Sequence, residues 1–155
     1  MYPFMLTLHS ILRWVVLVLA IVAVVRALAG WLGKQGWTAL DDRLGMLLSA
    51  SMDLQVVLGF ILYIFLSPFT QTALQDFGAA MSNELLRYWS VEHVLLMIVA
   101  LILIHIGRAT SKVAEEATSK HRRAAIFFGL ALLAILLAIP WPFLPYGRPL
   151  IRLGI

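Results

Sequence analysis

MLTLHSILRWVVLVLAIVAVVRALA, residues 5–29, decides the fold. A helix needs roughly 20 apolar residues to cross a hydrocarbon core about 30 Å thick, and this run is long enough. It is too long for the apolar part of a signal peptide, no small-residue cleavage site follows, and Arg13 interrupts it. It reads as a retained membrane helix. Three further runs of the same character follow, near residues 44–67, 86–108 and 124–144. Lipid offers no partner for backbone N–H and C=O groups, so each run must be helical. The expected fold class is all-α: an integral membrane up-down four-helix bundle, one transmembrane domain over residues 1–155.

The composition agrees. Apolar residues make up 62% of the chain and charged residues 13%, against about 45–50% and 25% in soluble domains. A soluble domain this apolar would have too little polar surface to show water. The chain has no cysteine. That excludes disulfides, thiol catalysis, iron–sulfur clusters and covalently attached haem. The formal net charge is +4, but the basic residues lie mostly near span ends. That distribution sets topology and does not suggest a nucleic-acid partner.

The links between the runs carry break signals. Gly30, Gly33 and Gly36 follow the first run, and Asp41 and Asp42 can cap the second. Ser67-Pro68 ends the second, because proline disfavours helical geometry in the residue before it. Segment 68–85 suits a surface loop or a short interfacial helix. Segment 109–123 is charged. Pro140, Pro142 and Pro145 end the fourth run, with Trp141 and Phe143 at the interface. Arg26, Lys34, Arg43, Arg108, Lys112, Lys120, Arg122 and Arg123 flank one face, against Arg87, Arg148 and Arg152 on the other. The first face is expected to be cytoplasmic, with both termini outside.

Ionisable residues inside a membrane usually face the interior and mark function. His9, Arg13, Asp53, Glu92 and His93 fall inside the runs. His9 and His93 enter at similar depth, on helices that stand diagonally in an up-down bundle. Two neutral imidazoles so placed can hold one metal from opposite sides, as in a b-type haem. The expected metal ligands are therefore His9 and His93. Arg13 lies one turn below His9 on the same face and can meet a haem propionate, a quinone oxygen or Glu92. Glu92 can orient a histidine or accept a proton. The bland alternatives make His9 an interfacial polar residue, let His93 simply hydrogen-bond a neighbouring helix, and make Arg13 and Glu92 a structural ion pair that fixes helix register. His105 lies a third of a turn off the His93 face and reads as a helix-end residue that snorkels. His121 reads as a solvated loop residue. Asp53 and Gln55 point to nearly opposite sides of the second helix. Asp53 reads either as a proton carrier or as an acid bonded to a neighbour.

The order of LHSILRW (8–14), RALAGW (26–31), DLQVVLGFILY (53–63), VEH (91–93), HIGR (105–108) and IPWPF (139–143) resembles a group of small four-span bacterial membrane proteins labelled cytochrome b-like. That resemblance covers nearly the whole chain. It implies four helices, a bacterial inner membrane and haem b, with His9, Arg13, Gln55, Glu92, His93 and His105 as motif positions. Relatives can carry a histidine near Asp53, where this chain reads MDLQ. A more distant likeness is to the small membrane protein that oxidises protoporphyrinogen.

The leading expectation is a haem-b-binding membrane protein in electron transfer, with quinone as an exchange partner. Its rival is a cofactor-free accessory or anchor subunit of a larger respiratory or photosynthetic complex. A third reading, a proton-coupled carrier using Asp53, Arg13 and Glu92, lacks the interrupted helix such sites use. The expected partners are the lipid bilayer, other membrane subunits and further copies of the chain.

Overall fold

The computed structural model describes residues 1–151. Arg152, counted above with the outer-face basic residues, lies outside the described residues. The fold is all-α. Four helices are long and apolar enough to cross a membrane: α1 (Tyr2–Leu32), α2 (Ala39–Leu66), α5 (Glu84–Val113) and α6 (Ala117–Ala138). Two short helices, α3 (Pro68–Gln75) and α4 (Phe77–Ser82), fill the link between α2 and α5. The long helices pack in a closed ring: α1 on α2, α2 on α5, α5 on α6, and α6 back on α1. Helices α1 and α5 therefore stand diagonally.

Local chemistry explains the boundaries. Asp41 Oδ2 accepts from Thr38 N at 2.8 Å and from Thr38 Oγ1 at 2.7 Å, which fixes the start of α2. Arg26 Nε donates to Asp41 Oδ1 at 2.8 Å, so the same carboxylate ties α1 to α2. At the other end of α2, Ser67 N reaches back five residues to Leu62 O at 2.7 Å, and Leu62–Leu66 is a π-turn. Pro68 follows, without an N–H to continue the helix. A second π-turn, Tyr88–Glu92, lies within α5 immediately before His93. One extra residue in a turn rotates every later side chain on the helix, and such turns are frequent at functional sites.

Helix α6 stops at Ala138, six residues short of the boundary expected from the apolar run. Ile139 has ψ 127°, the extended geometry that the following proline imposes. Prolines 140 and 142 also lack the N–H groups that would meet the carbonyls of Leu136 and Ala138. Trp141 Nε1 takes the Leu136 carbonyl at 2.9 Å. Residues 139–151 then fold back as a strap across this end of the ring. Arg13 Nη2 and Trp14 Nε1 hold the strap by Leu150 O, at 2.6 and 2.9 Å.

The seam between α1 and α6 is built of small residues. Ala20, Ala23, Ala27 and Gly30 are buried on α1, and Ala124, Ala131, Ala134 and Ala138 on α6. Small side chains let helices approach closely where lipid gives no hydrophobic drive. The outward faces are apolar, with Val18, Val25, Ile64, Leu95 and Leu137 all more than half exposed. Such a surface suits a bilayer and not water.

Two expectations are corrected here. Gly30 does not break α1; it lies within it. His121 is not a solvated loop residue but is fully buried in the first turns of α6. Its ring sits over the site where a Gly30 side chain would be, 4.9 Å from the Trp37 ring, and its Nε2 donates to Gly36 O at 3.3 Å. The glycine on α1 makes the room that the histidine on α6 fills. Gly30→Ala is therefore expected to lower stability by about 1–3 kcal/mol, the usual cost of overpacking. Unfolding in mixed detergent micelles measures it; an unchanged midpoint would contradict this packing.

Candidate functional site

One cleft dominates the molecule. It lies at the strap end of the ring, between α1, α2 and α5, with the strap across it. Its cavity volume is about 140 Å³, and it is open at its mouth. His9, Arg13, Gln55, Thr70, Trp89 and His93 all line it. Its remaining walls are largely apolar.

The two histidines come together as the depth argument expects. Their ring centres are 6.4 Å apart and the rings are steeply inclined, at 68°. The Ala138 carbonyl, freed by Pro142, accepts from His93 Nδ1 at 2.8 Å and from Tyr88 Oη at 2.6 Å. A carbonyl only accepts, so Nδ1 carries the proton and the neutral ring keeps a lone pair on Nε2. This is the arrangement by which a backbone carbonyl orients a metal-binding imidazole.

His9 is held differently. Gln55 Nε2 donates to the His9 carbonyl at 3.1 Å, which fixes the amide's orientation, and lies 3.3 Å from His9 Nε2. His9 Nε2 is then the acceptor, and its proton sits on Nδ1. Gly59, one turn after Gln55 on α2, admits the ring: a side chain there would meet His9 Cε1 at 3.3 Å.

Polar atoms without partners collect in this cleft. Among the described residues seven buried side-chain polar atoms lack a hydrogen bond, and five belong to residues that line it. They are His9 Nδ1, Arg13 Nε, Gln55 Oε1, Thr70 Oγ1 and Trp89 Nε1. An unsatisfied buried polar group costs about 1–3 kcal/mol, so their convergence suits a ligand that carries polar atoms.

The remaining sequence candidates fall elsewhere. Glu92 does not line the cleft or pair with Arg13. Its carboxylate accepts from Arg87 Nε at 2.7 Å, and both side chains are well exposed. Arg13 instead donates to Leu150 O and, at 3.3 Å, to Ser10 Oγ. His105 does not snorkel alone; its Nε2 meets Asp53 Oδ1 at 2.8 Å across α2 and α5, outside the cleft. Trp89 lies 5.5 Å from His93 and stacks on Phe69, and Arg148 from the strap covers both Phe69 and Trp89. Tyr88 and the strap were not legible as site features. The prolines four residues beyond Leu136 and Ala138 were the available sign, since they release carbonyls at a helix end.

Among the described residues, no three or more His, Cys, Asp or Glu side chains gather as a metal-binding cluster. The donor set of the cleft is two imidazoles. A metal held between two imidazoles at about 2 Å from each sets their ring centres about 6 Å apart, and His9 and His93 match that spacing. His93 Nδ1 is taken by Ala138 O, so Nε2 is the nitrogen it has left for a metal. His9 Nε2 lies against Gln55 and would have to leave that partner to hold one.

The fold and this cleft define a multi-span α-helical membrane protein with a largely apolar cleft between its helices, in which a few polar groups converge. Comparison with known proteins finds no matching family, no matching curated protein and no matching solved structure.

Proposed function

We propose that this chain is an up-down four-helix membrane protein that binds haem b between His9 and His93 and works in electron transfer. The observation that carries the proposal is the 6.4 Å pairing of the two rings in a cleft of unpartnered polar atoms. Haem b, when bound, supplies one-electron redox chemistry. His93 is held by Ala138 O in the tautomer that presents Nε2. The unpartnered N–H groups of Arg13 and Trp89 suit oxygen atoms at the edge of the cofactor. The same donors suit a quinone carbonyl, so exchange with a quinone pool is part of the proposal. The apolar walls and the strap limit the access of water to the rings. The excess of basic residues opposite the termini supports a cytoplasmic placing of the 33–38 and 114–116 links, and of both termini outside, in a bacterial inner membrane.

A reduced-minus-oxidised visible spectrum tests this on protein purified from cells supplied with haem precursor. Low-spin b-type bands are the expected result. Folded protein without haem bands would overturn it.

The rival reading, a cofactor-free accessory or anchor subunit, is supported by a different observation. The charged groups at this end are already engaged within the chain: Arg13 pins the strap, and Glu92 pairs with Arg87. In that reading they set helix register. Copurification with a larger respiratory or photosynthetic complex, with no haem in this chain, would favour it.

A further inference from the structure

Asp53 and His105 form an exposed pair between α2 and α5, away from the helix ends where the Arg87–Glu92 pair lies. Asp53 is the fifteenth of the twenty-eight residues of α2. At 1.5 Å per residue it stands about 20 Å from either end of that helix, well inside the apolar span. Yet its side chain is 51% exposed and that of His105 is 47% exposed. Ionisable groups at this depth face a protein interior or a partner. Here the pair faces outward from the groove between α2 and α5.

We infer that this face is the interface between two copies of the chain. The argument is complementarity. A twofold axis along the membrane normal, passing through the groove, sets α2 of one copy against α5 of the other. Asp53 of one copy then faces His105 of its mate at the same depth. The bond within one chain uses His105 Nε2 and Asp53 Oδ1. His105 Nδ1 and Asp53 Oδ2 remain; with His105 as an imidazolium paired to the carboxylate, Nδ1 donates and Oδ2 accepts across the axis. An acid–imidazole pair is self-complementary under twofold rotation, as an isologous contact requires. Ala50 and Ala109, both exposed, lie next to the pair on α2 and α5 and leave room for close approach.

The absence of cysteine from the sequence makes the test clean. Ala50→Cys and Ala109→Cys are placed in separate chains that carry different tags, and the two chains are coexpressed. Each chain holds one cysteine, so any mixed disulfide joins two copies. Mild oxidation of native membranes is expected to give a mixed-tag dimer. Val18→Cys, on the outward face of α1, paired with Ala109→Cys is expected to give none. Adding Asp53→Leu to both chains should remove most of the dimer band. Exchanging the pair, Asp53→His with His105→Asp, should restore it. No mixed disulfide between Ala50→Cys and Ala109→Cys, or a band indifferent to Asp53→Leu, would overturn the interface. A different polypeptide bound on this face in place of a second copy would overturn it as well.

Discussion

His93→Ala is expected to abolish haem binding. The side chain supplies one of the two imidazoles in the cleft, and Ala138 O fixes which nitrogen it presents. Loss even of the outer partner of a metal-binding imidazole costs about 10–100-fold in affinity, so loss of the imidazole itself should cost at least that. The haem content of the purified variant, set against wild type per mole of folded chain, measures it. His9→Ala should behave alike. Tyr88→Phe provides the contrast: it removes a neighbour's hydroxyl and leaves both imidazoles, so haem should stay. Full haem content in both histidine variants would sink the ligand assignment.

Tyr88→Ala is expected to be among the most destabilising single changes in the chain. Tyr88 is 1% exposed, stacks on Tyr146 with ring centres 3.7 Å apart, and donates to Ala138 O. Truncating a buried aromatic side chain costs about 3–5 kcal/mol. Here the same change also loosens the strap, because Tyr146 belongs to it. Tyr88→Phe keeps the stack and loses one hydrogen bond, worth about 1 kcal/mol. His93 still meets the carbonyl in that variant. Unfolding midpoints in mixed micelles should therefore fall in the order wild type, Tyr88→Phe, Tyr88→Ala. Equal midpoints for the two variants would show that the ring stack contributes nothing.

The spans were legible because hydropathy and length report directly on the bilayer. The inner limits of α1, α2 and α5 contain the runs read from sequence, apart from one residue at the end of α2. The fourth overshot, since apolar residues 139–144 look like helix until the prolines among them are weighed against the carbonyls they release. The meeting of His9 with His93 was legible for a similar reason: depth follows from residue count, and diagonal placement from up-down order. Rotation about each helix axis was not legible. The π-turn at Tyr88–Glu92 shifts the face on which His93 emerges, and nothing in that run marks it. Glu92, one residue earlier, falls to Arg87 instead of the cleft. Asp53 and His105 show the same limit. An apolar helix looks alike on its lipid, core and partner faces, so their shared outward direction emerges only from the packing. His121 was misread because its burial depends on a glycine ninety-one residues earlier, Gly30 on α1.

Titration of the haem-free protein in lipid nanodiscs with hemin tests the central claim most directly. The expected result is a sharp end point at one hemin per chain, with a low-spin spectrum of two nitrogen ligands. Gradual partitioning into the lipid with no end point, equal to that of nanodiscs without protein, would contradict it.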